Sequence, residues 1–519
     1  MDNDANKKSR VVDWAVVIPA VLTILVFAAL IFAFPSAMDA FMTKTFWAIN
    51  NSFGWLWLLF CLVCFFICIW LVLGKYRNKR FGDSKPKTST FSFYANLFVW
   101  GSSASLVYWV FLEFYSYLSG PPFGVEPFST EALKWASAYG PFHWGVVPFS
   151  IYAVAGVAYA FFMFVMKRNT SRVGAACEGL IGRKRANGPL GKVLDYLYMV
   201  GVILSNSGYS LGVSVPIIAA FAAAVFGISN GLVTQAVIII LITLAMTITI
   251  YSGLYKGVTL ANNIRVIIFF VLCAFVVVVG PTTFIINNTV ESIGWQLQHF
   301  FQMTLYTSAA DNSSWSQGWT MFFNIMFIAP IISSGLYYGR LYQGRKVSEC
   351  VIGTVVASAI GCGIFFWTVG NYSIATYLGD PETFIAMYNS SPYDAIIYVV
   401  NTLPGGKVIL AAILIYAFLS AWTFVQSSVY GNAMAAQPNL PDNEEPSKIG
   451  RVGWCILTGI MTLAFLYVGG LQTVKNAMIW AGIPSFIVAI FLIVANFKDM
   501  HRVWGNGEDP ATIRTMEKE

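Results

Sequence analysis

The chain has 519 residues, of which 57% are hydrophobic, 16% aromatic and only 11% charged, and its mean hydropathy is +0.67. This composition excludes an ordinary soluble domain, in which about 25% of the residues are charged. The formal net charge of +7 does not indicate a nucleic-acid partner, because the basic residues fall in short segments between apolar runs. The sequence therefore predicts an all-α polytopic membrane protein that contacts lipid and binds no nucleic acid.

Twelve apolar segments reach the length of roughly 20 residues that a helix needs to cross the hydrocarbon core of a bilayer. In chain order these predicted spans are 12–34, 53–74, 91–118, 143–166, 193–226, 230–253, 263–287, 318–339, 349–378, 406–431, 453–471 and 475–496. An even number of spans places both termini on one side of the membrane. Basic residues follow the even-numbered spans, so the positive-inside rule predicts that both termini are cytoplasmic.

The third span is an unusual membrane helix. It opens with the small residues Gly101, Ser103 and Ser105 and carries Glu113 in its middle. Small residues expose the backbone and allow a helix to unwind, and a carboxylate at membrane depth needs a partner or a water-filled cavity. A tight packing seam beside one paired acid is one interpretation of these residues. The other is a discontinuous helix at a transport site.

The order of the spans indicates an internal repeat. The segment from Ser292 to Tyr306 is too polar to cross the membrane and predicts an amphipathic helix on the outer surface. If the first two spans are peripheral, five spans lie on each side of this helix, and two five-span units have opposite orientations. Ala329-Pro330 then predicts a break in the eighth span that corresponds to the break in the third. The predicted divisions are a leader (1–11), two peripheral helices (12–90), a first repeat (91–287), the outer-surface helix and loop (288–317), a second repeat (318–496) and a tail (497–519).

Six short motifs follow one another along the chain. They are Glu113 with Pro121-Pro122-Phe123-Gly124, Phe142-His143-Trp144-Gly145, Ser210-Leu211-Gly212, Lys256-Gly257-Val258, Gln317-Gly318-Trp319-Thr320, and Gly339-Arg340-Leu341-Tyr342-Gln343-Gly344-Arg345. In this order they make the chain resemble the betaine/carnitine/choline transporter family, from the third span through the eleventh. The resemblance implies a LeuT-like fold, an inverted five-plus-five helix repeat with two extra N-terminal helices. It also implies a homotrimer and secondary active transport of a small molecule.

Members of that family hold a trimethylammonium group in a cage of aromatic rings. The resemblance assigns Trp144 and Phe149 to this cage, but residues 324–327 (Asn-Ile-Met-Phe) replace the family's Trp-x-Trp-Trp run. Amide and hydroxyl oxygens accept hydrogen bonds from N–H groups, which tryptophan faces do not. The sequence thus predicts a small zwitterionic nitrogen compound, less methylated than betaine. The alternative is a quaternary-ammonium solute (glycine betaine, carnitine or choline) in a rebuilt aromatic box. The candidate substrate-binding residues are Trp144, Phe149, Tyr117, Trp319, Asn324, Phe327 and Ser334.

The resemblance also bears on ion coupling, and it implies no cofactor or metal site. Sodium symporters of the family have Gly-x-Gly-x-Gly in the third span and Thr-Ser in the tenth, where this chain has Gly101-x-Ser103-x-Ser105 and Trp422-Thr423. Sodium-independent exchangers have arginine and methionine where this chain has Thr259 and Ser334. Coupling to Na⁺ through hydroxyl groups and coupling to H⁺ through Glu113 both stay open. The candidate coupling residues are Gly101, Ser103, Ser105, Glu113, Ser207, Thr259 and Thr423.

Other polar residues in the spans have simpler interpretations. His143 is predicted to pack at the start of a helix, Asp195 to pair with Lys192 or a loop arginine, and Arg265 is an alternative partner for Glu113. A membrane-embedded enzyme would need a cluster of catalytic side chains, and only Glu113 stands out, so no enzyme is predicted. A channel or a transporter-shaped sensor is the remaining alternative class.

Overall fold

The structure is a computed structural model that describes residues 12–101, 104–168, 170–251, 255–437, 440 and 445–516. Among these, the side chains of residues 99–101, 104, 255–259, 427 and 514–516 are not described. The described chain is helical and contains no β-strand, which confirms the predicted all-α class. All eight cysteines are buried and none forms a disulfide, as predicted from the position of most of them in apolar spans.

Ten helices within the described residues are long and apolar enough to cross a membrane. They are Trp14–Ala33, Pro35–Leu73, Thr130–Val165, Pro189–Phe226, Leu232–Tyr251, Leu260–Val279, Val347–Gly379, Gly406–Ala435, Lys448–Val468 and Gly470–Gly505. An eleventh crossing is the bent pair Trp315–Ile328 and Ile331–Leu341. The predicted third span falls on two helices, Thr90–Gly101 and Ala104–Ser119, that flank residues outside the described set. A total of twelve crossings therefore stays a prediction.

Shorter helices lie between these crossings and after the last one. They are Val173–Ala176, Glu178–Ile181, Arg183–Ala186, Thr282–Gln298, Phe300–Leu305, Pro381–Ser390, Pro392–Asn401 and Pro510–Met516. At the basic end of the bundle, Arg172 pairs with the buried Asp195, with 2.6 Å between Nη2 and Oδ2. The prediction that a loop arginine neutralises Asp195 is thereby confirmed.

Two elements differ from the predicted bounds. The second span is a single helix of 39 residues, Pro35–Leu73, not a 22-residue segment starting at residue 53. At 1.5 Å per residue it is about 58 Å long, well beyond the bilayer core of about 30 Å. The seventh span ends at Val279 rather than at residue 287, because Gly280-Pro281 stops the helix. The amphipathic helix then starts at Thr282, so the predicted division between 287 and 288 falls inside it.

The eighth span is interrupted where the sequence predicts. Its two parts, Thr320–Ile328 and Ile331–Leu341, flank Ala329-Pro330, and the span bends by 52° there. Proline has no N–H to donate, so a break of this kind leaves backbone carbonyls that need other donors. The Ser485 hydroxyl on the twelfth span donates to the Ala329 carbonyl oxygen at 2.7 Å. The twelfth span therefore stabilises the bend in the eighth.

The fourth span has a break that the sequence analysis did not predict. Helix Thr130–His143 ends at Trp144, and helix Val146–Ala160 begins after Gly145. A Cβ at Gly145 would lie 2.9 Å from the Pro141 carbonyl oxygen, so the sharp joint requires glycine. Trp144 consequently lies at the joint of the fourth span, outside both regular helices.

The fourth and eighth spans pack closely along glycine-containing faces. A Cβ at Gly335 would lie 2.7 Å from Ala155 Cβ, and a Cβ at Gly339 would lie 2.8 Å from Tyr159 Cβ. Small residues at such positions let two helix backbones approach each other in a membrane protein. The contact brings the bend of the eighth span next to the joint of the fourth.

We predict that Ser485→Ala destabilises the protein by about 1–3 kcal/mol, because the Ala329 carbonyl loses its donor in a water-free environment. The measurement is the temperature at which detergent-solubilised protein loses its monodisperse chromatographic peak. The matched control is Ser390→Ala, which removes an exposed hydroxyl that donates to Asp394. An equal effect of the two substitutions would contradict the role assigned to Ser485.

Candidate solute-binding site

A buried carboxylate is the centre of the polar contacts in the site. Glu113 Oε1 accepts hydrogen bonds from the Tyr117 hydroxyl at 2.7 Å and from His143 Nδ1 at 3.0 Å. Glu113 Oε2 accepts one from the Trp144 indole N–H at 3.2 Å. His143 Nε2 in turn lies 3.1 Å from the Thr320 hydroxyl. All five side chains are buried, so the network is shielded from water.

This network, which we call the Glu113 network, joins three spans. Glu113 and Tyr117 belong to the third span, His143 and Trp144 to the fourth, and Thr320 to the eighth. A buried polar group is costly unless it is hydrogen-bonded, so these contacts hold the three spans in one arrangement. The network also fixes the Trp144 ring, because the indole N–H points to the carboxylate.

Two expectations about this region need correction. His143 is more than a packing residue at a helix start, since both of its ring nitrogens lie within hydrogen-bonding distance of polar partners. Arg265 is not the partner of Glu113: the carboxylate is bonded to Tyr117, His143 and Trp144. Arg265 lies next to Tyr337 and Tyr416 instead. The short distance in sequence between Glu113 and Tyr117, one helical turn, was a signal that could have identified the first of these partners.

Four aromatic side chains form a box beside the network. The Phe327 ring centroid lies 5.4 Å from that of Trp144, 5.6 Å from Phe149 and 5.7 Å from Tyr152. The structure thus brings together three of the predicted substrate-binding residues. It adds Tyr152, which sequence reasoning missed although it lies three residues after Phe149, on the same face of the helix. We call Trp144, Phe149, Tyr152 and Phe327 the aromatic box.

Asn324 lies between the network and the box. Thr320, Asn324 and Phe327 have the spacing i, i+4, i+7, so they share one face of helix Thr320–Ile328. Thr320 contacts the network and Phe327 belongs to the box. Asn324 is only 5% exposed, and its amide has no hydrogen bond with any residue that the structure describes. An amide offers both an acceptor oxygen and two N–H donors to a ligand.

The other predicted substrate-binding residues have different surroundings. Tyr117 is fully buried, and its hydroxyl is bonded to Glu113. Trp319 packs edge-on against the Tyr117 ring, with 5.1 Å between centroids, and its own face is covered by Lys475. Ser334 is buried near the Tyr152 hydroxyl. Among the described residues, Tyr117 and Trp319 have no ring contact with the four rings of the box, and their part in solute binding stays a prediction.

The candidate coupling residues are only partly described. Ser103 and the side chain of Thr259 lie outside the described residues, and Gly101 ends helix Thr90–Gly101. Ser105 is buried next to Tyr209, which contacts Trp144 across 6.4 Å between ring centroids.

Two further coupling candidates donate to backbone carbonyls. The Ser207 hydroxyl donates to the Thr458 carbonyl at 3.0 Å, from the π-helical segment Asn206–Leu211. The Thr423 hydroxyl donates to the Leu419 carbonyl at 2.9 Å. The third, fifth and tenth spans, which carry Ser105, Ser207 and Thr423, pack against one another. Each of these hydroxyl oxygens keeps an acceptor site, so the set is compatible with a hard cation.

Comparison with known protein families decides the class of the protein. Residues 15–504 match the family model described as BCCT, betaine/carnitine/choline family transporter. The chain belongs to this family. Members of the betaine/carnitine/choline family are transporters and not enzymes, so the enzyme alternative is excluded. The match also supports a multi-pass membrane protein that carries a small solute of the betaine, carnitine or choline type by secondary transport.

We predict that Glu113→Gln reduces solute affinity at least tenfold. The amide turns an N–H₂ group towards neighbours that donate hydrogen bonds, and leaving one buried donor unpaired costs about 1–3 kcal/mol, or roughly tenfold in affinity. The measurement is solute binding by intrinsic tryptophan fluorescence. The matched control is Glu291→Gln, the same chemical change at an exposed carboxylate that lies 3.7 Å from Lys134. Wild-type affinity in Glu113→Gln would show that the network does not position the site.

Proposed function

We propose that this betaine/carnitine/choline family transporter carries a small zwitterionic nitrogen compound that is less methylated than betaine. The observation that supports the proposal is the Asn324 amide, which is 5% exposed, has no hydrogen bond to any residue that the structure describes, and lies beside an aromatic box. A buried amide without partners costs about 1–3 kcal/mol, which a bound solute with polar groups would recover. In the same family, tryptophan rings stand at the corresponding positions.

The box and the amide suit different parts of the solute. Ring faces attract a cation through their quadrupole, and in this proposal the rings that pack around Phe327 surround one ammonium group when the solute binds. An ammonium that keeps one or two N–H groups also needs acceptors, and the Asn324 oxygen supplies one. A secondary or tertiary amine with a carboxylate therefore satisfies both features.

The complete ring box also favours a second candidate. If the solute is fully methylated, as in glycine betaine, carnitine or choline, the four rings hold its ammonium group. The Asn324 N–H₂ group then donates to a carboxylate or hydroxyl oxygen of the solute. The two candidates differ in one property, the effect of each added N-methyl group on affinity.

Transport in this proposal proceeds by alternating access around the box. The third span, which carries small residues at 101, 103 and 105, and the eighth span, which bends at Ala329-Pro330, would move against the remaining spans and expose the box to each side in turn. Coupling stays open between Na⁺, held by Ser105, Ser207 and Thr423, and H⁺, bound at Glu113. Uptake into liposomes with potassium in place of sodium, and with or without a pH gradient, separates the two. We place the protein in a bacterial-type inner membrane with both termini cytoplasmic.

We predict that affinity is highest for sarcosine or dimethylglycine in the series from glycine to glycine betaine, with carnitine, choline and taurine measured alongside. Asn324→Trp should shift the preference towards the fully methylated end, because it replaces an acceptor by a ring face. Asn324→Leu, of similar volume, separates loss of the amide from gain of the ring. The readout is the dissociation constant from tryptophan fluorescence. Binding of glycine betaine ten times more tightly than dimethylglycine would establish the second candidate instead.

We also propose that the protein is a homotrimer, as its family resemblance implies, assembled through the helix Thr282–Gln298. Polar side chains attach this helix to its own chain: Ser292 donates to the Ser137 carbonyl and Asn288 to the Asn371 side chain. An apolar stripe remains exposed, formed by Ile286, Val290, Ile293 and Leu297. Its spacing of four, three and four residues is the a/d repeat that packs one helix against another. A second copy of the chain is the occupant that we propose.

We predict that Val290→Glu combined with Leu297→Glu converts trimers to monomers, because each carboxylate would be buried in the proposed contact between copies. The measurement is the mass of the detergent-solubilised protein by light scattering. Gln298→Glu, an exposed position on the same helix but off the stripe, is the control and should stay trimeric. If the stripe faces lipid only, both variants keep the wild-type mass.

A further inference from the structure

Lys475 is a buried cation that the transport site described above does not use. It lies near the start of helix Gly470–Met500 and is 7% exposed. Its Nζ donates to the Gly318 carbonyl oxygen at 2.7 Å. The same atom lies 3.6 Å from the centroid of the Trp319 ring and 5.3 Å from that of Phe322. Two ring faces and one carbonyl therefore surround the ammonium group.

No carboxylate that the structure describes lies within 4.0 Å of this ammonium group. The acid on the neighbouring helix, Asp39, accepts a hydrogen bond from Thr473 instead. Buried charges are normally paired, because removing an ion from water is costly. Lys475 has no acid partner among the described residues, so its charge acts on the surroundings uncompensated whenever the amine is protonated.

The nearest centre of opposite charge in the site is on the other side of two aromatic rings. Lys475 covers the Trp319 ring, the Trp319 ring packs edge-on against Tyr117 at 5.1 Å, and Tyr117 donates to the Glu113 carboxylate. One base and one acid are thus separated by a pair of rings in a buried region. When Lys475 is protonated and Glu113 is ionised, their charges cancel at this end of the site.

We propose that Lys475 is a specificity-determining residue that selects solutes of zero net charge over net cations with the same ammonium group. Without Lys475, the site would carry the uncompensated charge of Glu113 and would favour a cation such as choline. With Lys475 protonated, its charge compensates that of Glu113. A zwitterion then binds at a site of balanced charge, whereas a net cation is repelled by the lysine. This inference rests on the proposed function, namely transport of a zwitterionic ammonium compound.

The size of the effect follows from the low dielectric of a buried site. One unit charge at roughly 10 Å from a second one, at an effective dielectric constant of about 20, changes an equilibrium by about tenfold or slightly more. Salt does not screen the interaction, because ions do not enter the packed region between the rings. Lys475 need not touch the solute to have this effect.

The test compares uptake of glycine betaine and choline by the full-length protein in liposomes. These two solutes share the trimethylammonium group and differ in net charge. Lys475→Met, which keeps the length of the side chain and removes the charge, should lower the ratio of kcat/KM for glycine betaine to that for choline by about tenfold. Lys475→Arg should keep the wild-type ratio. Lys44→Met, the same change at an exposed lysine, is the control and should also keep it.

A purely structural role for Lys475, holding the Gly318 carbonyl, predicts a different result. Both solutes would then lose transport by the same factor in Lys475→Met, and an unchanged ratio would overturn the proposal. If this variant does not fold, the wild-type protein still decides: choline must compete for the site about tenfold less well than glycine betaine, and equal competition contradicts the charge selection. Failure to bind any zwitterion would instead overturn the proposed function, and the inference with it.

Discussion

A carboxylate in the membrane-spanning part of the chain must be hydrogen-bonded, and the rest of the site depends on how Glu113 meets this requirement. Its two oxygens accept bonds from Tyr117, His143 and the Trp144 indole. These donors come from the third and fourth spans, and His143 extends the contact to the eighth. Because the carboxylate fixes the Trp144 ring, it also fixes one wall of the aromatic box. The polar network and the apolar box are therefore one unit.

The twelfth span has a supporting role that the repeat alone does not suggest. Two of its side chains donate hydrogen bonds to carbonyl groups of the eighth span. Lys475 donates to Gly318, just before helix Thr320–Ile328, and Ser485 donates to Ala329 at the bend. Carbonyls without donors are costly in a membrane interior. If the eighth span moves during transport, the twelfth must move with it or other donors must replace these two. This constraint limits which helices can belong to the moving part.

The sequence predicted the elements whose cause is local. Hydropathy predicted the ten described helices that are long and apolar enough to cross a membrane, and Pro330 predicted the bend in the eighth span because proline cannot continue the hydrogen-bonding pattern. The length of helix Pro35–Leu73 and the start of the helix at Thr282 escaped prediction. Helix Pro35–Leu73 is longer than predicted because its more polar N-terminal half precedes the apolar segment. The helix at Thr282 starts earlier than predicted because Gly280-Pro281 interrupts an apolar run.

Sequence analysis singled out residue types that are unusual in a membrane span. It did not predict contacts between helices that are distant in sequence. Glu113 was singled out because a carboxylate is unusual in a membrane span, and Trp144 because of the family resemblance; the structure joins the two by a hydrogen bond. The bonds of His143, the position of Tyr152 in the box and the ring-bound ammonium of Lys475 depend on helices that are distant in sequence. Trp319 stays a predicted substrate-binding residue, and the structure shows Lys475 against its ring. No local pattern contains this information, because each contact depends on how the fourth, eighth and twelfth spans meet.

The central claim is that solute binds between the Glu113 network and the aromatic box. It is tested most directly by a cryo-electron microscopy structure with saturating dimethylglycine. The account predicts solute density enclosed by Trp144, Phe149, Tyr152 and Phe327, within hydrogen-bonding distance of the Asn324 amide. Density at another position, or a Trp144 indole turned away from Glu113 with solute bound, would contradict it.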